Sequence, residues 1–320
     1  MKVKQIFDLA VQKGMKADPR GEAGIKEYLE NIKKEFENCK PKDEKYLDKE
    51  RLVNPYMDCR IHHDDGKTEV KRVLVGIDID EGELLLASQL SERGKNVDLA
   101  ISHHPIGYGL AHLHSVMDMQ VEIFVKAGVP IHVAEKLMEK RISEVSRGVH
   151  PINHYRAIDM AKLLNINLIN THTTADNLVS EFLEKHFAKR KPKLIGDMID
   201  CLLEIPEYEE GKKRGAGPSL FTGNLKHHVG KYMVEMTGGT SPNDDIYQEL
   251  SRAGVSTTIG MHMRDDAKKK ASKYHMNVLI AGHMASDSLG MNLFLDELEK
   301  KGIEITPCSG LIRVSRVKKK

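Results

Sequence analysis

The sequence predicts an α/β protein whose parallel strands carry histidine at their carboxyl ends. Two observations predict this class. Helical segments alternate with short apolar runs of strand length, and residues 71–102 form a strand, a helix and a second strand in succession. Three of the apolar runs lead into histidine: "DLAIS" into His103 and His104, "NLINT" into His172, and "VLIAG" into His283.

Length and composition restrict the class further. The 320 residues are enough for one large or two modest domains, and 40% of them are hydrophobic. No apolar run approaches the roughly 20 residues that cross a bilayer. The first 20 residues lack the apolar core of a signal peptide, so we expect a cytoplasmic protein without a membrane partner.

Charge and cysteine content point to no special partner. The 49 basic and 47 acidic residues nearly cancel, and we therefore expect no nucleic-acid partner. The closing "RVKKK" is expected to be a solvated tail. The four cysteines are far apart and form no Cys-x-x-Cys pair, which favours reduced thiols.

The domain organisation follows the alternation of elements. Residues 1–50 are charged and helical, with Ile25 and Ile32 on one face, and are expected to add a helical layer. Residues 51–186 together with 276–320 are expected to form the main α/β domain. Lys/Pro-rich and Gly-rich linkers then mark residues 187–275 as a second α/β domain inserted into the first.

The strand-end histidines are expected to converge. The carboxyl ends of parallel strands are where ligands bind, and we expect the three apolar strands to end on one rim of one sheet. Asp176 follows His172, and Asp287 follows His283, at the i+4 spacing that points both side chains to one side of a helix. Adjacent His103 and His104 can face two different metals because strand alternation breaks at the strand end.

The chemistry of these side chains indicates a metal site. Imidazoles with carboxylates suit Zn, Fe, Mn or Co, whereas Ca and Mg prefer oxygen ligands. Four histidines and two aspartates exceed the needs of one tetrahedral ion, which favours two ions. One strand-end histidine among the 16 in the chain is more often a surface or capped core residue, but three such strand ends favour a metal site.

The remaining histidines and motifs are weaker candidates. The pairs at 62–63 and 227–228 follow no parallel strand and are left out of the predicted site. His262 is a candidate second-shell or substrate-contacting residue. His112 and His114 could line the cleft, although solvent exposure is the simpler interpretation. The Gly-rich stretches "GAGPS" and "TGGTSPND" lack the end of a phosphate-binding loop and are expected to be turns.

Four sequence blocks resemble those of a known family. "DLAISHHP", "NTHTTAD", the glycine pair at 238–239 and "LIAGHMASD" are similar to the blocks of the Nif-three-like family (Ngg-one-interacting factor three), often labelled GTP cyclohydrolase I type-two homologues. The resemblance covers roughly residues 54–315. This chain departs from the family pattern in having Asp287 for the usual Glu, "HTTAD" for "HTNLD", and no Trp-Asp-Asn segment near its start.

The resemblance implies a fold, a ligand set and an assembly. It implies two α/β domains with a dinuclear metal centre in the cleft, and a toroidal homo-hexamer. The implied ligands of two divalent ions (Zn, Fe or Mn) are His103, His104, Asp176, His283 and Asp287. His172 is expected to be a ligand, an orienting group or a catalytic proton shuttle.

Two classes of function stay open on the sequence. We expect a metal-dependent hydrolase acting on an anionic, phosphate- or nucleotide-like small molecule. The alternative is a metal-binding or regulatory interaction protein without turnover, with closed metal coordination. A nucleic-acid-associated ring is a third possibility, which would require Lys and Arg along its central hole.

Overall fold

Residues 1–318 are described by the structure, a computed structural model, and they form two β-sheets covered by helices. The expected C-terminal tail lies partly outside the described residues. The strands are β1 (Arg60–His63), β2 (Arg72–Gly76), β3 (Leu99–Ser102), β4 (Leu168–Asn170), β5 (Ser219–Thr222), β6 (Lys231–Glu235), β7 (Val255–Gly260), β8 (Asn277–Ile280) and β9 (Glu304–Pro307). The predicted α/β class is confirmed.

Thirteen α-helices are found within residues 1–318. They are α1 (Val3–Lys16), α2 (Gly21–Glu37), α3 (Glu81–Glu92), α4 (Gly107–Ala111), α5 (Met119–Ala127), α6 (Ile131–Val149), α7 (Arg156–Leu163), α8 (Thr173–Arg190), α9 (Ile195–Leu203), α10 (Pro206–Lys213), α11 (Ile246–Arg252), α12 (Asp265–Lys273) and α13 (His283–Lys300). Short 3-10 helices occupy Glu44–Tyr46, Lys49–Leu52 and Leu113–Asp118. None of the helices in this part of the chain is long and apolar enough to cross a membrane.

The first sheet has the strand order β1-β4-β3-β2-β9. β9, β2, β3 and β4 are parallel, and β1 runs antiparallel to β4. The expected strand–helix–strand unit is β2–α3–β3, and α3 begins with a capping box between Asp80 and Glu83. β1 and β2 flank an Asp-Asp-Gly turn but do not pair with each other.

The second sheet has the order β5-β8-β7-β6, with β6, β7 and β8 parallel. β8 is the apolar run that precedes His283. The expectation that the three histidine-bearing strands end on one rim of one sheet is therefore wrong. All four residues of β8 are buried, and a fully buried run fits a central position in either sheet, so its sequence does not select one. The domain boundaries at residues 50, 186 and 275 stay a prediction.

Helices α8 and α13 lie between the two sheets. Each contributes apolar side chains to the core under the first sheet and to the core under the second. On α8, for example, Leu178 packs in the first core and Val179 in the second. On α13, Phe294 packs in the first core and Leu289 in the second. A helix that is buried all round has its position fixed on every side. α8 begins directly after His172, and α13 begins at His283.

The N-terminal segment packs directly on α8. α1 lies against α8, and Asp18, just after α1, is buried and paired with Arg20. The Tyr56 hydroxyl donates to Asp18 Oδ2 over 2.8 Å, and Asn177 Nδ2 lies 3.3 Å from the same oxygen. Asn177 is the residue after Asp176, so the predicted helical layer is tied to the helix that carries a candidate ligand.

Two glycines allow α13 and α1 to pack closely against α8. A Cβ at Gly290 of α13 would lie 2.4 Å from the Ala175 carbonyl oxygen of α8. A Cβ at Gly14 of α1 would lie 2.8 Å from the Thr174 Cα. The obstructing atoms are backbone and cannot rotate away, so larger residues at either glycine would displace the first turn of α8.

We predict that Gly290→Ala destabilises the protein by about 1–3 kcal/mol, because α13 and α8 must separate to admit the methyl group. Urea unfolding measures this change. Gly148→Ala is the matched control, since a Cβ at Gly148 of α6 meets nothing within 4 Å. The control should unfold at the wild-type urea concentration or slightly above it. Equal stability of the two variants would contradict the close packing of α13 on α8.

Candidate metal centre

The strand-end histidines form one cluster drawn from both sheets. β3 leads into His103 and His104, and β4 leads to His172 at the start of α8. β8, in the second sheet, leads to His283, the first residue of α13. Ring centroids are 5.0 Å apart for His103 and His172, and 5.3 Å apart for His104 and His283. The carboxyl edges of two sheets therefore meet, and the expected convergence occurs across two sheets.

The turn before α13 depends on a glycine. Gly282 has φ of +112°, and a Cβ there would lie 2.5 Å from the Ala216 carbonyl oxygen. Only glycine fits both the backbone angle and the space. This turn brings His283 directly from the end of β8 to the first position of the helix.

The two aspartates follow their histidines by one helical turn, as their spacing predicts. Asp176 Oδ2 lies 3.7 Å from His172 Nε2 on α8, and Asp287 Oδ2 lies 3.5 Å from His283 Nε2 on α13. Both aspartate side chains are buried. Each helix therefore contributes a histidine and a carboxylate to the same small volume.

Asp287 occupies the middle of the cluster. Its Oδ1 lies 3.5 Å from His103 Nε2, and its Oδ2 lies 3.4 Å from His104 Nε2. The two adjacent histidines thus face different oxygens of one carboxylate. Aspartate is one methylene shorter than the glutamate usual in the resembling family, yet here it reaches three imidazoles.

Asp176 completes a second group of donors. Its Oδ1 lies 3.5 Å from His103 Nε2, so that nitrogen is equally far from both aspartates. Ligand atoms in each of two sets lie within 4.8 Å of one another: one set is His103, His172 and Asp176, and the other is His103, His104 and Asp287. Buried His/Asp groups of this kind could bind metal.

The spacing of the donors fits a cation. Separations of 3.4–3.7 Å are too long for good hydrogen bonds. Two ligands about 2.0–2.2 Å from a tetrahedral ion are themselves about 3.4 Å apart. Four buried atoms also lack any hydrogen-bond partner: His103 Nε2, Asp176 Oδ1 and both Asp287 oxygens. Metal ions at this place would give all four atoms partners, so the residues fit a metal.

In the metal-free cluster the pKa values of the two carboxyl groups shift in opposite directions. Burial raises the pKa of Asp176 to about 6, despite the opposing effect of His172 and His103. Burial also acts to raise the pKa of Asp287, but His103, His104 and His283 hold that pKa well below its usual range. Asp287 is thus the carboxylate that stays ionised through its contacts with imidazoles.

The pKa values of two of the imidazoles also shift in opposite directions. Burial acts to lower the pKa of His104, but the contacts of its ring with the Asp287 and Asp78 carboxylates outweigh burial and raise the pKa to about 10. Burial lowers the pKa of His283 to about 4, which leaves this ring neutral at pH 7. A neutral ring is the form that ligates a metal.

Two further aspartates, which no sequence pattern predicted, orient the histidines. His172 Nδ1 lies 2.7 Å from Asp58 Oδ2, and His104 Nδ1 lies 2.8 Å from Asp78 Oδ1. Each bond turns the Nε2 of its ring towards the cluster. A ligating histidine needs such a partner on its other nitrogen. That rule signals that carboxylates must be near, but no spacing selects these two among 47 acidic residues.

A cavity opens onto the cluster from the second sheet. His172, Asp176 and His283 form one wall of it. The remaining lining comprises Glu235, Met236, Thr237, Gly239, Thr240, Ser241, Met261 and His262. The stretch "TGGTS", expected only as a turn, is therefore part of the wall. The candidate ligands His172, Asp176 and His283 are therefore accessible to a small molecule that enters this cavity.

His262 lies beside the cluster, where a second-shell or substrate-contacting residue would stand. Its ring is nearly perpendicular to that of His283, with centroids 5.0 Å apart, and its Nδ1 lies 2.9 Å from Ser241 Oγ. Burial lowers the pKa of His262, so its ring is neutral at pH 7.

The other histidines have different surroundings. His62 lies 2.8 Å from Asn170 Oδ1, and His227 lies 2.9 Å from Asn277 Oδ1, which are ordinary structural contacts. His112 and His114 line a separate cavity against the N-terminal segment. These residues take no part in the cluster, as predicted for the two pairs.

Comparisons with known proteins identify the fold. Neither models of protein families nor the curated proteins give a match. Among solved structures, a NIF3 superfamily protein from Sphaerobacter thermophilus is 23% identical, with a TM-score of 0.73, covering 97% of this chain and 99% of that one. Reduced HcgD from Methanocaldococcus jannaschii is 15% identical, with a TM-score of 0.49, covering 88% and 97%.

A Bacillus cereus protein related to NIF3 is 11% identical, with a TM-score of 0.44, covering 92% of this chain and 98% of that one. The first of these three likenesses is strong enough to assign the fold. It extends over the N-terminal segment as well as both sheets. The chain therefore has the fold of the NIF3 superfamily, and the resemblance to the Nif-three-like family predicted by its histidine motifs is confirmed at the level of the fold.

Proposed function

We propose that this protein binds two divalent metal ions and uses them as a metal-dependent hydrolase on a small molecule with an anionic group. The observation that carries the proposal is the set of buried, unpartnered atoms of His103, Asp176 and Asp287, in a cluster that lines an open cavity through His172, Asp176 and His283. Imidazole and carboxylate donors without thiolate suit Zn, Fe or Mn. Bound ions would supply Lewis acidity and would lower the pKa of a bound water.

The distances support a division of the ligands between two ions. His103, His172 and Asp176 would hold the first ion, and His104, His283 and Asp287 Oδ2 would hold the second. Asp287 Oδ1 faces His103 Nε2, which gives this carboxylate the position of a bridge. The second ion then has three protein ligands and keeps an open position, as catalytic ions do.

His172 fits the role of a ligand better than that of a proton shuttle. Its Nδ1 is held by Asp58, and its Nε2 faces Asp176. Both ring nitrogens therefore have partners within the cluster, and neither is free to carry a proton to the cavity. His262, on the cavity side of His283, is better placed for proton transfer.

The alternative is a metal-binding or regulatory protein without turnover. It would require ions closed off by protein ligands, whereas the cavity reaches Asp176, His172 and His283. The accessible wall favours the enzyme.

We also propose a homo-oligomer, hexameric as in the resembling family, for which exposed Leu85 and Leu163 offer apolar contact surface. Light scattering in solution measures the molar mass that tests the assembly.

We predict that single substitutions remove ions selectively. His172→Ala should lose about one ion per chain, and His283→Ala should lose about one as well, since each removes a ligand of a different ion. Asp287→Ala should lose both, because it removes the bridge. Elemental analysis of purified protein measures this content. His63→Ala, outside the cluster, is the control. Wild-type metal content in the Asp287 variant would refute the ligand assignment.

We predict that metal occupancy falls as the pH drops below about 6. Imidazole with an ordinary pKa of about 6.5 must be neutral to ligate. Burial raises the pKa of Asp176 to about 6, so in the empty site this carboxyl also takes up a proton over the same range. Protons therefore compete with the metal more strongly as the pH falls, and His104, whose pKa is raised to about 10 in the empty site, must release its proton for the metal to bind. Equilibrium dialysis between pH 5 and 8 checks the direction, and constant occupancy would count against histidine ligation.

We predict that the metal-loaded protein hydrolyses at least one member of a panel of phosphoesters, nucleotides and cyclic amides. The His103→Ala/His283→Ala double variant should lose this activity because ligands of both ions are removed. Chelated wild type should be inactive and should recover on adding Zn or Mn. Equal activity of wild type and double variant would mean that the cluster is not the active site. Bound ions without exchangeable water would favour the non-catalytic alternative.

A further inference from the structure

A glutamate without a hydrogen-bond partner lines the same cavity as three residues of the candidate metal centre. Glu235 is the last residue of β6, at the carboxyl edge of the second sheet, and lines the cavity with His172 and Asp176. Within residues 1–318 its side chain makes no hydrogen bond and no ion pair. Burial raises its pKa to about 7, with no cation nearby to oppose this effect. The environment thus leaves a carboxyl group without a protein partner in the wall that the candidate centre shares.

The rest of the lining is rich in acceptors. Thr237 Oγ1 donates its proton to Asn177 Oδ1 over 2.6 Å, so only its lone pairs face other partners. No Lys or Arg occurs among the described residues that line the cavity. A second anionic group beside Glu235 would be repelled and would find no cation to bind. A group that donates hydrogen bonds, and above all a cationic one that favours the ionised carboxylate, would find an acceptor in Glu235.

The size of the cavity limits what that group can be. Its volume is about 40 Å³, a few times the roughly 10–15 Å³ that holds one water molecule. This space accommodates a small polar group such as a primary amine. The opening to solvent leaves room for the remainder of a substrate outside.

We propose that Glu235 binds an amino group of the substrate while the metal pair binds an anionic group of the same molecule. This inference rests on the proposed metal-dependent function and makes the substrate a small zwitterion, such as an amino acid derivative. The Glu235 carboxylate would accept charge-assisted hydrogen bonds from the amine. A substrate analogue without the amine would lose these hydrogen bonds, and loss of such a bond is how polar sites discriminate between ligands.

The test compares matched pairs of probes that differ only in the amine. The amino carboxylates are glycine, β-alanine, 4-aminobutanoate and 5-aminopentanoate, and their partners are the carboxylates of equal chain length without nitrogen. Binding to the metal-loaded, full-length protein is measured by titration calorimetry. We expect one amino carboxylate to bind wild type at least about tenfold more tightly than its partner. Glu235→Gln should lose this preference while binding the plain carboxylates at least as well.

Two further variants make the result specific. Glu139→Gln removes an exposed carboxylate on α6 and should keep the wild-type preference. Glu235→Asp shortens the side chain by one methylene and should move the preference to an amino carboxylate one methylene longer. This shift would not arise from a merely structural role, and it remains measurable if the Gln variant folds poorly.

The outcomes separate the two proposals. Metal content is measured in every sample. A wild type that takes up no metal would overturn the proposed function and this inference with it. Bound metal with no preference for any amine would overturn the inference alone. An amine preference that persists in Glu235→Gln would also overturn it, because the amine would then bind elsewhere.

Discussion

The burial of Asp287 among three imidazoles is the constraint on which the site depends. Both of its oxygens are shielded from water and neither has a hydrogen-bond partner. An unpaired buried carboxylate costs several kcal/mol unless opposite charge compensates it. Protonated histidine supplies that charge in the metal-free protein, and a cation between the same atoms would supply it better. The requirement explains why His103, His104 and His283 come from different parts of the chain to one place.

The fold meets this requirement through two helices held on every side. α8 and α13 pack on both sheets and cross closely at Gly290, so their first turns have little freedom to move. The N-terminal segment adds a third constraint, because Asn177 on α8 bonds to the Gly14 carbonyl and accepts from Thr237. Asp176 therefore belongs to a helix fixed by α1, by α13 and by the cavity wall. Such rigidity suits a site whose ligands must stay within a few tenths of an ångström.

Local rules explain how much the sequence could predict. A histidine after a buried strand and an acid four residues later are both local patterns, so His172 with Asp176 and His283 with Asp287 could be chosen from the sequence. The sheet to which β8 belongs could not, because its buried apolar run is compatible with either. The orienting aspartates and Glu235 were missed for a similar reason. Their roles arise from partners more than 25 residues away, and no sequence spacing encodes them.

The orienting aspartates also change the charge balance of the centre. Counting only Asp176 and Asp287 against two divalent ions leaves a charge of +2, which favours an anionic substrate. Asp58 and Asp78 bond directly to ligating imidazoles and add two negative charges, although Asp78 is partly exposed and water screens it. With two divalent ions bound, the centre would then be nearly neutral, and ionised Glu235 would add negative charge to the cavity. One anionic group can still bind the ions directly, but the surrounding field does not favour a polyanion. A molecule carrying both signs of charge matches this distribution better than a nucleotide does.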